Sequence, residues 1–166
     1  MSGTERRAVR DGDKPVLAAL QAALGAEHAA VYGYGVVGGR VGQARRAEAR
    51  SAYDAHRARR DALAREVRDA GGTPVAAAAG YALPFPVPDA QAAVRLAADL
   101  EERVAGVYSD LVRAASGGVR RTAAEALREA AVRAVRWRGE SVAFPGLVER
   151  TSPAGASATP TAAPTG

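Results

Sequence analysis

Glu27, His56 and Glu101 are ionisable residues where apolar ones are expected, since each falls on the apolar stripe of a different predicted helix. Taking a carboxylate or an imidazolium out of water costs several kcal/mol unless the group is paired, hydrogen-bonded or bound to a metal. Two chemistries could satisfy the three. One is a hydrogen-bonded ion network in which Glu27, His56 and Glu101 or Glu102 meet a guanidinium, Arg60 or Arg133. The other is one iron, manganese or zinc ion held by Glu27, His56 and Glu101 through two carboxylates and an imidazole. Tyr53 and Tyr108 are then the nearest aromatic hydroxyls, and as core residues they would bury their rings and hydrogen-bond their tips.

Four helices must position these groups. Asp13 is placed to cap the first, with Pro15 in its first turn, where a missing N–H costs nothing. Leu17, Leu20, Leu24, Glu27, Val31, Tyr34, Gly38 and Val41 then step by three and four residues to a turn near Gly42. The second helix is expected from about Arg45 to Ala70, with Ala49, Tyr53, His56, Arg60, Leu63 and Val67 aligned, and Gly71-Gly72-Thr73-Pro74 stops it. Asp89 caps a third that reaches about Ala115 and carries Val94, Ala97, Glu101, Val104, Tyr108 and Leu111 on one face, with Ser116-Gly117-Gly118 as its terminator. The fourth is expected from about Arg120 to Ser141, through Ala123, Leu127, Ala130, Ala134 and Trp137.

Depth follows from reflection about the turns. Glu27 and His56 are equidistant from the first turn and should lie at one level; reflection about Gly117 and Gly118 carries Glu102 onto Arg133 and Glu101 onto Ala134. An arginine therefore stands near the two carboxylates.

Between the second and third helices, TPVAAAAGYALPFPVP is too long for a hairpin and too rich in proline for a helix. Extended chain of that length reaches about 50 Å, whereas a helix of about 26 residues is about 39 Å long. The segment can travel the whole bundle, with Phe85 plugging its surface. Two hairpins joined by one long crossover is the connectivity of ferritin-like bundles. The expected organisation is an N-terminal extension over 1–13, an all-α four-helix bundle over 14–148 and a disordered tail over 149–166, where TSPAGASATPTAAPTG has neither charge nor large apolar groups.

Composition excludes several functions. Without cysteine there are no disulfides, thiolate metal sites or cysteine nucleophiles. The arginines near the N-terminus precede no apolar stretch, and no apolar run is long enough to span a bilayer, so a cytoplasmic protein with no membrane partner is expected. The formal charge is +5, but the basic residues are interspersed: 45–69 hold eight arginines against five acids. Mixed-sign helix faces weigh against nucleic acid, although Trp137 among Arg133, Arg136 and Arg138 could stack on a base. No serine or threonine has a spaced His and Asp to activate it, and the glycines at 33, 35, 38 and 39 follow a helix, not the strand a phosphate-cradling loop needs.

LQAALGAEHAAVYGYGVVG, HRARRDAL, GYALPFPVPD, LEERVAGVYSDLV and RAVRWRGESVAFPG together resemble an actinobacterial ferritin-like domain of unknown function. The resemblance implies a ferritin-like antiparallel four-helix bundle and no particular substrate. By analogy with bundles that pair through their first two helices, it also implies a homo-oligomer, for which Gly33 to Gly39 would allow close approach. Di-metal members of that architecture place one glutamate on each of two helices and Glu-x-x-His on each of the others. Here Glu27 and Glu101 or Glu102 match, the second helix reads Tyr53-Asp54-Ala55-His56, and the fourth reads Glu129-Ala130-Ala131-Val132. Two of those six donors, one carboxylate and one imidazole, are missing. The reading is a noncatalytic bundle without cofactor whose di-metal site has become a Glu/His/Arg network. The alternatives are an iron- or manganese-binding redox protein and, after it, an arginine-mediated nucleic-acid binder.

Overall fold

The computed structural model describes residues 13–139, and the expectations for 1–12, for Ser141 and for the tail lie outside them. Four helices follow one another: α1 (Lys14–Arg40), α2 (Arg46–Asp69), α3 (Ala90–Ala114) and α4 (Gly117–Arg138). A 3-10 turn at Gln43–Arg45 joins the first two. The chain is an all-α four-helix bundle. Among the described residues no helix is long and apolar enough to cross a membrane.

The crossover over 70–89 lies along α1, whose side chains satisfy its backbone. The Gln21 amide donates to the Thr73 carbonyl at 2.6 Å and accepts from the Val75 N–H at 2.9 Å. His28 reaches the Val75 carbonyl at 3.1 Å, and Arg40 donates to the carbonyls of Val87 and Pro88 at 3.1 and 3.2 Å. These contacts run from near the start of α1 to its end, so the crossover travels the length of the bundle. Val87 is buried; Phe85 is half-buried against the core with the Arg95 guanidinium over its ring.

α1 packs on α2 and on α3, and α3 packs on α4, whereas no Cα of α2 comes within 8 Å of one on α4. That seam is spanned by side chains. Arg45, in the first turn, lies over Trp137 at 3.9 Å and donates to the last carbonyls of α4, those of Arg136 and Trp137. A cation there also opposes the negative end of the helix dipole. The ring of Trp137 is thus covered by an arginine from the opposite hairpin, not by its neighbours on α4.

Apolar periodicity located the helices and misplaced some of their faces. On α1 the buried line runs through Leu20, Ala23, Leu24, Glu27, Ala30, Tyr34 and Val37, while Val31 and Gly38 stand half-exposed. Alanine turns inward because two helices approach closely there: a Cβ at Gly33 would stand 2.5 Å from Leu100 Cδ1. The α3–α4 turn is also tighter than expected, since Gly117 at φ +56° begins α4 and leaves only Ala115 and Ser116 between the helices. The buried apolar residues form two clusters, one around Leu24, Leu63 and Leu111 and one around Leu96, Leu100 and Trp137.

Glycine position gives a test of opposite signs. Gly35 and Gly39 sit inside α1 with nothing near an added methyl, so replacing either with alanine is expected to raise stability by about 0.5–1 kcal/mol. Gly117→Ala should lower it by about 1–2 kcal/mol, because its left-handed backbone disfavours a Cβ. Urea denaturation of the three variants distinguishes the signs.

Candidate functional site

At mid-height each helix contributes to one polar cluster: Glu27 from α1, His56 from α2, Glu101 from α3 and Arg133 from α4. Glu27, His56 and Glu101 are 0% exposed. His56 Nδ1 lies 2.6 Å from Glu27 Oε2, and its Nε2 lies 3.1 Å from Glu101 Oε1. The ring therefore bridges the carboxylates from its two edges. Arg133 Nε donates to Glu101 Oε1 at 2.7 Å.

Two phenols complete the cluster. Tyr108 donates to Glu27 Oε1 at 2.7 Å, and Tyr34 donates to Glu101 Oε1 at 2.6 Å while stacking on the His56 ring at 5.2 Å. The pairing is reciprocal between antiparallel α1 and α3. Each helix carries a glutamate and, seven residues later, a tyrosine, and each glutamate meets the other helix's tyrosine. Seven residues are two helical turns, about 10.5 Å, so Glu27 and Glu101 lie at different depths and the imidazole spans them.

The second hairpin repeats the first at an interval of 74 residues (101 − 27). Glu27 matches Glu101, Tyr34 matches Tyr108 and Arg59 matches Arg133; buried Ala49 and Ala52 match buried Ala123 and Ala126. At His56 the match is Ala130, also fully buried. One imidazole serves both halves, and alanine across the seam leaves it room. Arg133, which reflection about Gly117 and Gly118 set opposite Glu102, meets Glu101 instead, because the tight α3–α4 turn moves the centre of the hairpin back. Arg133 lies one turn further along α4 and reaches back, as helical side chains lean toward the N-terminus.

Charge and burial act in opposite directions at each group. Burial alone would lower the His56 pKa, but the hydrogen bonds and charges of Glu101 and Glu27 outweigh it and push it up to about 9. Burial would raise Glu101, yet the hydrogen bond and charge of His56, followed by Arg133, hold its carboxyl below the usual range. Burial outweighs everything else at Tyr34 and Tyr108, whose phenols are pushed up and held as donors, each with an adjacent glutamate adding to the effect. Arg133 is raised because Glu101 and its neighbours outweigh burial. At neutral pH His56 is an imidazolium donating from both nitrogens.

Several expected members lie elsewhere. Arg60 is not in the cluster: it pairs with Asp61, its neighbour on α2. Glu102 sits one position round α3 from Glu101 and pairs with Arg138 outside the core. Tyr53 is half-exposed beside Arg57, and the second buried phenol is Tyr34. Glu27 bonds to His56 and Tyr108, with no arginine among these partners. Tyr34 and Arg59 were missed as site residues; the signal that points to them is the repeat of Glu, Tyr and Arg at one interval.

The residues named for a metal do not converge as ligands. A histidine ligand must aim a ring lone pair at the ion while its other nitrogen is held by an outer partner. Here both nitrogens face carboxylates on opposite edges of the ring, and a guanidinium occupies Glu101 Oε1. Among the described residues no group of three or more His, Cys, Asp or Glu side chains is arranged to hold an ion.

The family described as Domain of unknown function (DUF4439) matches residues 19–149. The chain belongs to that family. Its fold and sequence are similar to a conserved hypothetical protein from Mycobacterium tuberculosis, 38% identical, with a TM-score of 0.74 over 76% of this chain and 96% of that one. No curated protein matches.

The shifts set a stability profile. Below about pH 6.5 His56 is protonated folded or unfolded, and its contribution is complete; above that the unfolded chain loses the proton first, and the contribution is gone once pH passes about 9. That span corresponds to about 3 kcal/mol. Glu101 acts in the reverse direction, stabilising above its ordinary value of 4.5 and losing the effect as pH falls through its lower folded value. Denaturant midpoints from pH 3 to 10 should show both limbs, and His56→Gln should flatten the alkaline one. Glu101→Gln should cost about 3–5 kcal/mol, since it deprives Arg133 and His56 at once. Glu27→Gln should cost less, about 1–3 kcal/mol, because its partners are His56 and a neutral phenol, and no arginine is left without its counter-charge. Equal losses for the two variants would contradict this geometry.

Proposed function

We propose that this protein is a noncatalytic ferritin-like module, structural or interaction-mediating, in which a self-neutralised Glu/His/Arg cluster stands where a di-metal centre would otherwise tie four helices together. The engagement of both His56 nitrogens, one with each carboxylate, carries the reading. Glu27 and Glu101 lie opposite the imidazolium of His56 and the guanidinium of Arg133, so the protein itself supplies the positive charge that an ion would bring. The cavity between α2 and α4 that reaches Tyr108 and Arg59 holds about 30 Å³, room for water, and larger pockets of about 270 and 450 Å³ are lined by residues outside the cluster. The four-helix fold, the long crossover and the facing glutamates support the ferritin-like relationship, and an actinobacterial, cytoplasmic setting is part of the same proposal. Self-association belongs to it too, through the surface beyond Gly35, Gly38 and Gly39, where nothing within the chain lies against an added methyl.

Metal loading tests the proposal. Chain purified without chelator and incubated with ferrous iron or manganese should retain less than about a tenth of an equivalent by elemental analysis, and its melting temperature should not change. Stoichiometric metal that raises the melting temperature and disappears in His56→Gln would establish the iron- or manganese-binding alternative instead.

A further inference from the structure

The wide seam between α2 and α4 carries a second ionic arrangement, outside the buried cluster. Arg59 Nη2 lies 2.6 Å from Glu129 Oε2, and Arg133 Nη1 lies 3.6 Å from the same oxygen. The two guanidiniums hold matching places in the two hairpins and converge from opposite helices on one acceptor atom. Their exposures differ from that of their guest: the arginine side chains are 18% and 16% exposed, and the carboxylate is 43% exposed. The cations belong to the wall of the seam, whereas the anion lies on its solvent side.

We propose that this seam binds a small tetrahedral oxyanion, inorganic phosphate or a phosphate monoester, and that the Glu129 carboxylate is its resident stand-in. Each guanidinium offers several N–H donors in a planar fork suited to two oxygens at a time. A single carboxylate oxygen uses few of them. A tetrahedral anion presents acceptors in several directions and can engage both forks, which a carboxylate on a short tether does not do. α2 and α4 approach nowhere within 8 Å between Cα atoms, and the cavity beside Arg59 is about 30 Å³, so the anion takes the place that the Glu129 carboxylate leaves. Charge favours the exchange: Arg59 and Arg133 both reach Glu129, and Arg133 is already balanced by Glu101, so the Arg59 guanidinium has Glu129 as its carboxylate partner. To admit the ligand, the Glu129 carboxylate, 43% exposed, swings outward on α4.

The test is calorimetric titration and thermal melting of the full chain with sodium phosphate, against sodium chloride at matched ionic strength. The wild type should bind phosphate, Glu129→Gln should bind it at least ten-fold more tightly because the competing carboxylate is gone, and Arg59→Gln should lose it. Circular dichroism establishes that each variant is helical; should Arg59→Gln fail to fold, Arg59→Lys keeps the charge, removes the fork and should weaken binding. Adenosine monophosphate is the second arm: tighter binding than inorganic phosphate assigns the seam to an ester, and equal binding assigns it to the free anion. A wild type and Glu129→Gln that respond to phosphate no more than to chloride overturn the proposal, and so does undiminished binding in a folded Arg59 variant.

Discussion

A single imidazole between two carboxylates constrains this bundle more tightly than any apolar contact does. Apolar side chains tolerate small sliding of one helix past another, whereas a ring bonded at both nitrogens fixes the positions of α1 and α3 relative to α2. The fourth helix enters through Arg133, and the two phenols bind α1 to α3 twice over. Each group is tolerated in the interior only because another is there: without the glutamates, burial would strip His56 of its proton, and without His56 and Arg133 it would neutralise Glu101. A buried ion network of this kind is better understood as fixing one arrangement of the helices than as adding net stability.

The apolar core is arranged around this layer. Its two clusters lie toward opposite ends of the helices, with Tyr108 in one and Tyr34 in the other. The phenols therefore connect oily surroundings to the polar centre, rings packed and hydroxyls bonded. Outside the core, α1 is enclosed by α2, α3 and the crossover, while α2 and α4 stand apart and are joined by arginines. The bundle is thus closed by close packing on three sides and by long charged side chains on the fourth.

Much of this was legible in the residue pattern. Glu27, His56 and Glu101 interrupt apolar stripes, and three buried ionisable groups on three helices have to meet. The length and proline content of the segment before Asp89 required a crossover, and Asp89 does cap α3 by accepting from the Ala92 N–H. Errors arose where a face or a register had to be chosen. Arg60 fits the stripe of α2 by spacing, but its guanidinium is taken by the adjacent Asp61 and not by the buried carboxylates. Glu101 and Glu102 are adjacent, so periodicity alone does not distinguish them; packing buries one and leaves the other with Arg138.

What the sequence determined by itself is the set of constraints local to each helix: where apolar spacing begins and ends, which residues cap or break it, and which polar groups are forced inward. Those follow from helix geometry and from the cost of burying charge, and both act along the chain. Only the tertiary structure decided which partner each buried group takes. That choice depends on how far α1 and α3 approach, where the α3–α4 turn sets the register of Arg133 and Ala130, and how long side chains reach across the α2–α4 seam. The same glutamates and histidine, displaced by a turn, could face a common point and hold an ion. In this fold a heptad offset between Glu27 and Tyr34, repeated at Glu101 and Tyr108, sets the carboxylates at different depths, and the imidazole between them is bonded on both sides.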